Sequence, residues 1–442
     1  MSSTLPFTAI DESEQYSPIF VRFFVSSILL LLVLTHTPLH FISRWYNETA
    51  EYLAACHIFS FDVRELFAVQ KDFFIQTILT PVRTFLFFIS FIVAAIPIGA
   101  SLRIFILQNS KYFLPALKKT YPALIVLSLL IIPVKLGLMA GGYAQMSYHP
   151  LGFFDETNQL YQRLLMPALA YLLQMQGMFL YYIFSLCITA LLIWLVNIYF
   201  MQKGTVLNLI ECISLCTSSF IMTQLQSPGY TEQLSYLFLL MVFIVPLSSF
   251  AKYSIVVFSL ITHEISGLSF AVLALVMFSK KEKISIFMIL LLYASCWLMS
   301  FGFNIANLLA ARNVGNESGW WWAVQFPYRE VLGIGIAYKL LWVVIGAAFF
   351  QMNNERKIIG GLVAAALLFT LGGVDTSRLM GYAFPALLIS FYYVKKYSLL
   401  KDLYVQRLVW LNLLVPSFYV GTNIGIVFFP GLYQLFYKGI FF

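Results

Sequence analysis

Apolar runs of about 20 residues, the length a helix needs to cross the hydrocarbon core of a bilayer, follow one another from Phe20 to Phe429. A chain built this way must satisfy its backbone polar groups inside lipid, and helices do so segment by segment. The windows fall at Phe20 to Phe41, Phe85 to Ile106, Tyr121 to Ala140, Met178 to Phe200, Val206 to Met222, Leu234 to Phe250, Ile255 to Phe278, Ile284 to Ala310, Val331 to Phe350, Ile358 to Leu371, Leu379 to Val394 and Leu408 to Phe429. With a shorter run at Leu164 to Leu173, they predict an all-α polytopic integral membrane protein of about 11–13 transmembrane helices with short extracytoplasmic loops.

Composition agrees. Of 442 residues 61% are hydrophobic and only 10% charged, against an apolar share of about half in soluble domains. The gaps between windows are too short for a separate folded unit, so residues 1–442 read as one transmembrane domain. The net charge of +8 does not imply a nucleic-acid partner. Lys118-Lys119, Lys280-Lys281, Arg356-Lys357 and Lys395-Lys396 sit in short connectors, as the positive-inside rule requires. The partner is the bilayer. Residues 1–19 lack a basic n-region and the following run is too long for a cleavable signal, so they read as a cytoplasmic tail ahead of a retained span. Five scattered cysteines, with Cys212 and Cys216 four apart and no histidine beside them, give no metal or disulfide framework.

Placing the lysine-rich connectors in the cytoplasm puts 43–81, 141–161 and 311–330 outside, as extracytoplasmic loops. To keep both ends of the chain consistent, Leu164 to Leu173 is expected to cross, which leaves Lys203 outside; a re-entrant segment would keep Lys203 inside. The location implied is the inner or plasma membrane, or the endoplasmic reticulum membrane in a eukaryote.

Ionisable residues beside such runs usually mark function. His263-Glu264 lies about ten residues into an apolar run, and neighbours on a helix point about 100° apart, so the two need separate partners. Asp155 and Glu156 precede Arg163 at a membrane surface: a carboxylate there could deprotonate an acceptor and the arginine hold an anion, or Asp155 could cap a helix while Arg163 snorkels. After Gly372-Gly373, Asp375 is placed to cap the helix carrying Arg378, a pairing that makes either an anion site or a local ion pair. Arg329-Glu330 opens another helix expected on the same face. Trp320-Trp321-Trp322 and Phe326-Pro327-Tyr328 suit a headgroup belt or stacking on sugars. Asn47-Glu48-Thr49 and Asn316-Glu317-Ser318 fit the glycosylation acceptor pattern.

In its helix number, its external acidic residues and its external basic helix ends, the chain resembles the multi-spanning glycosyltransferases of the C-type fold. The resemblance is architectural. It implies transfer of a sugar from a polyprenyl-phosphate donor to a lipid, glycan or protein on the extracytoplasmic face. It implies Asp155 or Glu156, with Asp62 third, as general base. Arg163, Arg329 and Arg378 would bind the donor phosphate, with Glu330 and Asp375 beside them, and His263 and Glu264 would shape the inner wall. The only cofactor left open is a divalent cation. Many members carry the acidic motif directly after the first span, whereas Phe61-Asp62-Val63-Arg64-Glu65 lies some twenty residues on. The chain shows no Gly-rich phosphate loop, which favours a lipid-linked donor. An oligosaccharide polymerase or ligase would use similar groups, and a secondary transporter would need paired broken helices in repeated halves.

Overall fold

The computed structural model describes residues 16–36, 38–55, 63–130, 138–151, 163–300, 319–352, 355–373, 375–421 and 424–428. Asp62, Asp155, Glu156 and Asn316 lie outside the described residues. The first helices are α1 (Pro18–His36), α2 (Pro38–Ala55), α3 (Val63–Phe73), which passes through a π-helical turn at Phe74–Leu79, α4 (Thr80–Leu130), α5 (Leu138–Met146), α6 (Leu165–Leu172) and α7 (Gly177–Gln202). Then come α8 (Leu209–Cys216), α9 (Ser219–Gln226), α10 (Glu232–Ile244), α11 (Ser249–Thr262), α12 (Ser266–Met277) and α13 (Lys280–Ser300). The remainder is α14 (Gly319–Gln325), α15 (Pro327–Tyr338), α16 (Trp342–Gln351), α17 (Arg356–Gly372), α18 (Thr376–Leu379), α19 (Phe384–Lys396) and α20 (Asp402–Leu414), closed by an antiparallel hairpin of β1 (Ser417–Val420) and β2 (Ile424–Phe428).

Five helical runs are long and apolar enough to cross a membrane: Pro18–Thr35, Arg64–Leu129, Gly177–Gln202, Lys280–Met299 and Pro327–Gln351. The protein is an all-α, multi-pass integral membrane protein. Helix α4 covers 51 residues with Pro97, Pro115 and Pro122 inside it. It joins two windows that sequence separates, because the connector between them (Leu107, Gln108, Lys111, Leu114, Ala116 to Lys119) is made largely of good helix formers. The region 43–81 is also largely helical, through α2 and α3.

The shorter helices are paired limbs. Glu282 accepts from Ser249 Oγ (3.0 Å), Lys252 Nζ (2.7 Å) and Ser279 N (2.9 Å), so the start of α11 and the end of α12 meet at one level. Helices α11 and α12, of 14 and 12 residues, therefore form a hairpin, and Ile255 to Phe278 is not one crossing as the sequence suggests. The chain turns because His263 adopts an extended backbone (φ −160°, ψ 115°). Gly267 then lets the limbs approach, since a Cβ there would lie 3.0 Å from Leu260.

Two more hairpins repeat the plan. The limb α8–α9 starts at a capping box of Asn208 and Glu211, with Lys395 Nζ 2.8 Å from Glu211. Its partner α10 ends where Gln202 reaches the Ile244 carbonyl. Val206 to Met222 is thus two eight-residue helices of one limb, separated at Thr217-Ser218. The third hairpin pairs α17 with α19, and Tyr393 OH donates to Glu355 at its base (2.5 Å). At about 1.5 Å per residue, the limbs α10, α11, α12 and α19, of 12 to 14 residues, reach about 18–21 Å into a core of about 30 Å. All three bases lie at the basic end.

The expected topology is corrected at two places. Helix α6 has eight residues, about 12 Å of rise, too short for the crossing that the run Leu164 to Leu173 suggests. Lys203 lies at the basic end rather than opposite it: Lys119 Nζ donates to the Leu207 carbonyl, Lys395 to the Val206 carbonyl, and the charge of Lys396 acts on Lys203. Leu408 to Phe429 is likewise no single span. Pro416, which has no N–H to continue a helix, follows α20, and the β-prone Phe418-Tyr419-Val420 pairs with Ile424 to Ile426.

Candidate functional site

Where hairpins turn inside a membrane protein, helical hydrogen bonding stops and polar groups need partners. The three tips meet and supply one another. In chain order, the first hairpin (α8 to α10) brings Glu232, opening α10; the second (α11–α12) His263 and Glu264; the third (α17–α19) Asp375 and Arg378 around α18. Arg163, just before α6, enters from the side.

Arg163 grips Glu264 with two donors, Nη2 to Oε1 at 2.8 Å and Nε to Oε2 at 3.1 Å, and gives Nη1 to Tyr143 OH at 3.1 Å. His263 Nε2 is 3.1 Å from Glu232 Oε1, and its Nδ1 is 3.8 Å from Glu264 Oε2. The adjacent pair thus faces different main partners, but at a turn where His263 is extended rather than from the helix expected of this run. Arg378 Nη2 lies 3.2 Å from the same Glu232 oxygen and pairs with Asp375 Oδ2. Tyr419 OH donates to Asp375 Oδ1. The result is one chain of contacts: Tyr143, Arg163, Glu264, His263, Glu232, Arg378, Asp375, Tyr419.

Asp375 does not cap its helix. Its side chain makes no capping bond, because the carboxylate is engaged by Arg378 and Tyr419, while its backbone carbonyl accepts from the Arg378 N–H (3.1 Å). Glu330 accepts from Thr376 Oγ1 at 2.9 Å, which joins the start of α15 to the tip of the third hairpin. Arg329 goes elsewhere: its guanidinium lies over Phe326 (4.5 Å) and its Nε donates to Tyr328 OH (3.2 Å).

Glu232, His263 and Arg378 are buried, with 0%, 1% and 4% of their surface exposed. Beside them an edge-to-face aromatic box ties the tips of the α8–α10 and α17–α19 hairpins together: Phe220 on Tyr236 (4.9 Å), Phe220 on Phe384 (5.0 Å), Tyr236 on Tyr382 (4.9 Å). Tyr236 OH also donates to the Arg378 carbonyl at 2.7 Å. Opposite charges in so dry a place hold each other firmly, and removing one member leaves the other uncompensated.

Arg378 keeps capacity in reserve. Its plane stacks on Tyr230 at 4.1 Å, and among the described residues its buried Nε and Nη1 donors meet no acceptor. Thr231 Oγ1 and Ser266 Oγ are buried and likewise have no hydrogen-bond partner among the described residues. On the other side, Glu264 forms part of the wall of an apolar cavity of about 490 Å³ between α12, α13 and α17, with Leu268, Tyr293, Trp297 and Phe369 around it. Guanidinium donors that meet no acceptor among the described residues and an apolar cavity therefore both border one ionic centre. Among the described residues no group of three His, Cys, Asp or Glu side chains is arranged to hold a metal ion.

Of the residues singled out from sequence, Arg163, His263, Glu264, Asp375 and Arg378 come together, Glu330 adjoins them through Thr376, and Arg329 does not join. Sequence reasoning missed Glu232, Tyr143, Tyr230 and Tyr419. Glu232 carried a signal, a lone acid between Pro228-Gly229 and an apolar run. The tyrosines carried none, being three of 26.

No family model, curated protein or solved structure matches the chain.

Proposed function

We propose that the chain is a membrane glycosyltransferase that takes a sugar from a polyprenyl-phosphate donor and passes it to a lipid, glycan or protein acceptor on the extracytoplasmic face. The observation that carries this reading is Arg378, a buried guanidinium with two donors that meet no acceptor among the described residues, one carboxylate away from an imidazole and within the same network as an apolar groove at Glu264. With the lysine-rich hairpin bases in the cytoplasm, the tips point to the opposite side.

The chemistry asks for few groups. The acceptor oxygen attacks the anomeric carbon, the bond from that carbon to the phosphate oxygen breaks, the electron pair leaves with the phosphate, and a carboxylate takes the acceptor proton. Arg378 meets the growing phosphate charge, a role for which a preorganised guanidinium is suited. Arg163 holds Glu264 at the groove. Asp155 and Glu156, which precede Arg163 in the chain, stay the leading candidates for the base, with Asp62 third.

The test is transfer of labelled sugar from a synthetic polyprenyl-phosphate donor in membranes carrying the protein. Arg378→Ala is expected to lower turnover by about 10²–10³, the usual cost of removing a donor to developing charge, and Asp155→Asn or Glu156→Gln to abolish it while donor still binds. Full transfer by all three variants defeats the reading. The interrupted limbs favour a second reading, since half-helices that end at a polar centre also build transporter sites. Substrate flux without a covalent product would select it.

A further inference from the structure

At the opposite end of α11 from His263, a second and larger cavity of about 1110 Å³ opens between α1, α11 and α13. Its walls are graded. Lys281, Ser279 and Ser285 line one end, and Leu29, Met288 and Leu292 the other, so polarity falls off along the helices as it does from a lipid headgroup into its chains. Val25 (48%), Leu29 (43%), Ile284 (59%) and Met288 (60%) are exposed, which opens the cavity sideways to the bilayer. Tyr16 stacks on Phe20 at 4.7 Å and Phe24 meets Phe250 edge-on at 4.9 Å, an aromatic ledge of the kind found at headgroup level.

Among the described residues the charge at the polar end is unbalanced. Glu282 is consumed by Lys252, Ser249 and Ser279, and Lys283 Nζ donates to the Leu275 carbonyl at 2.6 Å. Lys280 and Lys281 are exposed at the start of α13, and no acceptor faces Lys281 among the described residues. Basic pockets between helices on the cytoplasmic side are suited to lipid phosphates. A neutral headgroup would leave the two ammonium groups without a counter-charge among the described residues.

We infer that this cavity is a binding site for an anionic glycerophospholipid of the leaflet at the basic end, with its phosphate at Lys280 and Lys281 and its acyl chains along Leu29 and Met288. The lipid then braces the base of the α11–α12 hairpin, since Ser249, Phe250 and Glu282 line the same cavity. The inference does not depend on the proposed sugar transfer.

The experiment uses the full chain purified in a neutral detergent, with phosphatidylglycerol or phosphatidylcholine added. Thermal unfolding reads stabilisation and native mass spectrometry reads retained lipid. Phosphatidylglycerol is expected to raise the midpoint by about 2–4 °C more than phosphatidylcholine and to be retained preferentially. The double variant Lys280→Gln and Lys281→Gln is expected to lose that excess, and Ser285→Trp, which fills the cavity, to lose retention of both lipids. Equal shifts from the two lipids on the unaltered protein overturn the inference. So does an undiminished excess in the double glutamine variant, which decides the matter alone if the tryptophan variant does not fold.

Discussion

Glu232 and His263 meet where two hairpins touch tip to tip, carboxylate Oε1 3.1 Å from imidazole Nε2, and neither side chain is more than 2% exposed. The contact joins elements that have no other reason to end at the same depth. Because Arg378 shares the same oxygen, Glu232 is the member on which the first, second and third hairpins all depend.

Removing Glu232 is therefore expected to cost more than removing a surface acid. Glu232→Ala leaves Arg378 and His263 facing each other without the anion between them, and stability should fall by about 3–5 kcal/mol, as for other broken buried pairs. Thermal unfolding in detergent measures this. A double-mutant cycle with His263→Ala isolates the pair, with a coupling of about 0.5–3 kcal/mol expected. Strict additivity would show that the two residues do not interact.

Arg163→Lys tests the two-pronged grip on Glu264. A lysine keeps the charge but cannot present two parallel donors, so Glu264 loses its fixed orientation at the groove. If the site transfers sugar, turnover should drop by about 100-fold, the cost of a misplacement near 1 Å, with little change in the melting midpoint. An unchanged rate would remove Arg163 from the machinery.

The hydrophobic windows fix which stretches enter the membrane, because length and polarity alone decide that, and five long runs are legible at once. They do not distinguish a crossing helix from two limbs of a hairpin. In Ile255 to Phe278 the turn is made by His263 leaving helical geometry for a partner on another hairpin, and that partner is far away in sequence. The ionic centre is half legible for the same reason. His263, Glu264, Asp375 and Arg378 stand out against apolar neighbours, whereas Tyr419 reaches Asp375 only because Pro416 ends α20 and a β-hairpin follows. Counting crossings misplaces Lys203; its neighbours Lys119, Lys395 and Lys396 are brought to it by folding.

That placement predicts a labelling pattern. Single cysteines at Lys203, Lys119 and Lys395 should react with a membrane-impermeant thiol reagent from one and the same side, the cytoplasm. A cysteine at Tyr148, which packs by Gly177 at the far end of α7, should react from the other. Reaction of the Lys203 site together with Tyr148 would restore a crossing by Leu164 to Leu173.

Gly333 is a packing test of the contact between α15 and the third tip. A Cβ there would lie 2.7 Å from Thr376 Cβ and Cγ2, atoms of a side chain whose hydroxyl is tied to Glu330. Gly333→Ala should destabilise the fold by about 1–3 kcal/mol through overpacking. The paired variant Gly333→Ala with Thr376→Ser, which removes the clashing methyl, keeps the hydroxyl and leaves the Cβ contact, should recover part of the loss.

Tyr419→Phe removes only the hydroxyl that Asp375 accepts from. Asp375 keeps Arg378, so the fold should persist with a loss of about 1.5–3 kcal/mol, the worth of a hydrogen bond to a charged group. Freed on one side, the carboxylate can draw the guanidinium away from Glu232, and the two Arg378 donors that meet no acceptor among the described residues then lose their fixed direction. If they hold the donor phosphate, apparent donor affinity should weaken in Tyr419→Phe while Arg378→Lys weakens it further. A Tyr419→Phe protein that melts lower but binds donor unchanged would confine the tyrosine to holding the β-hairpin in place.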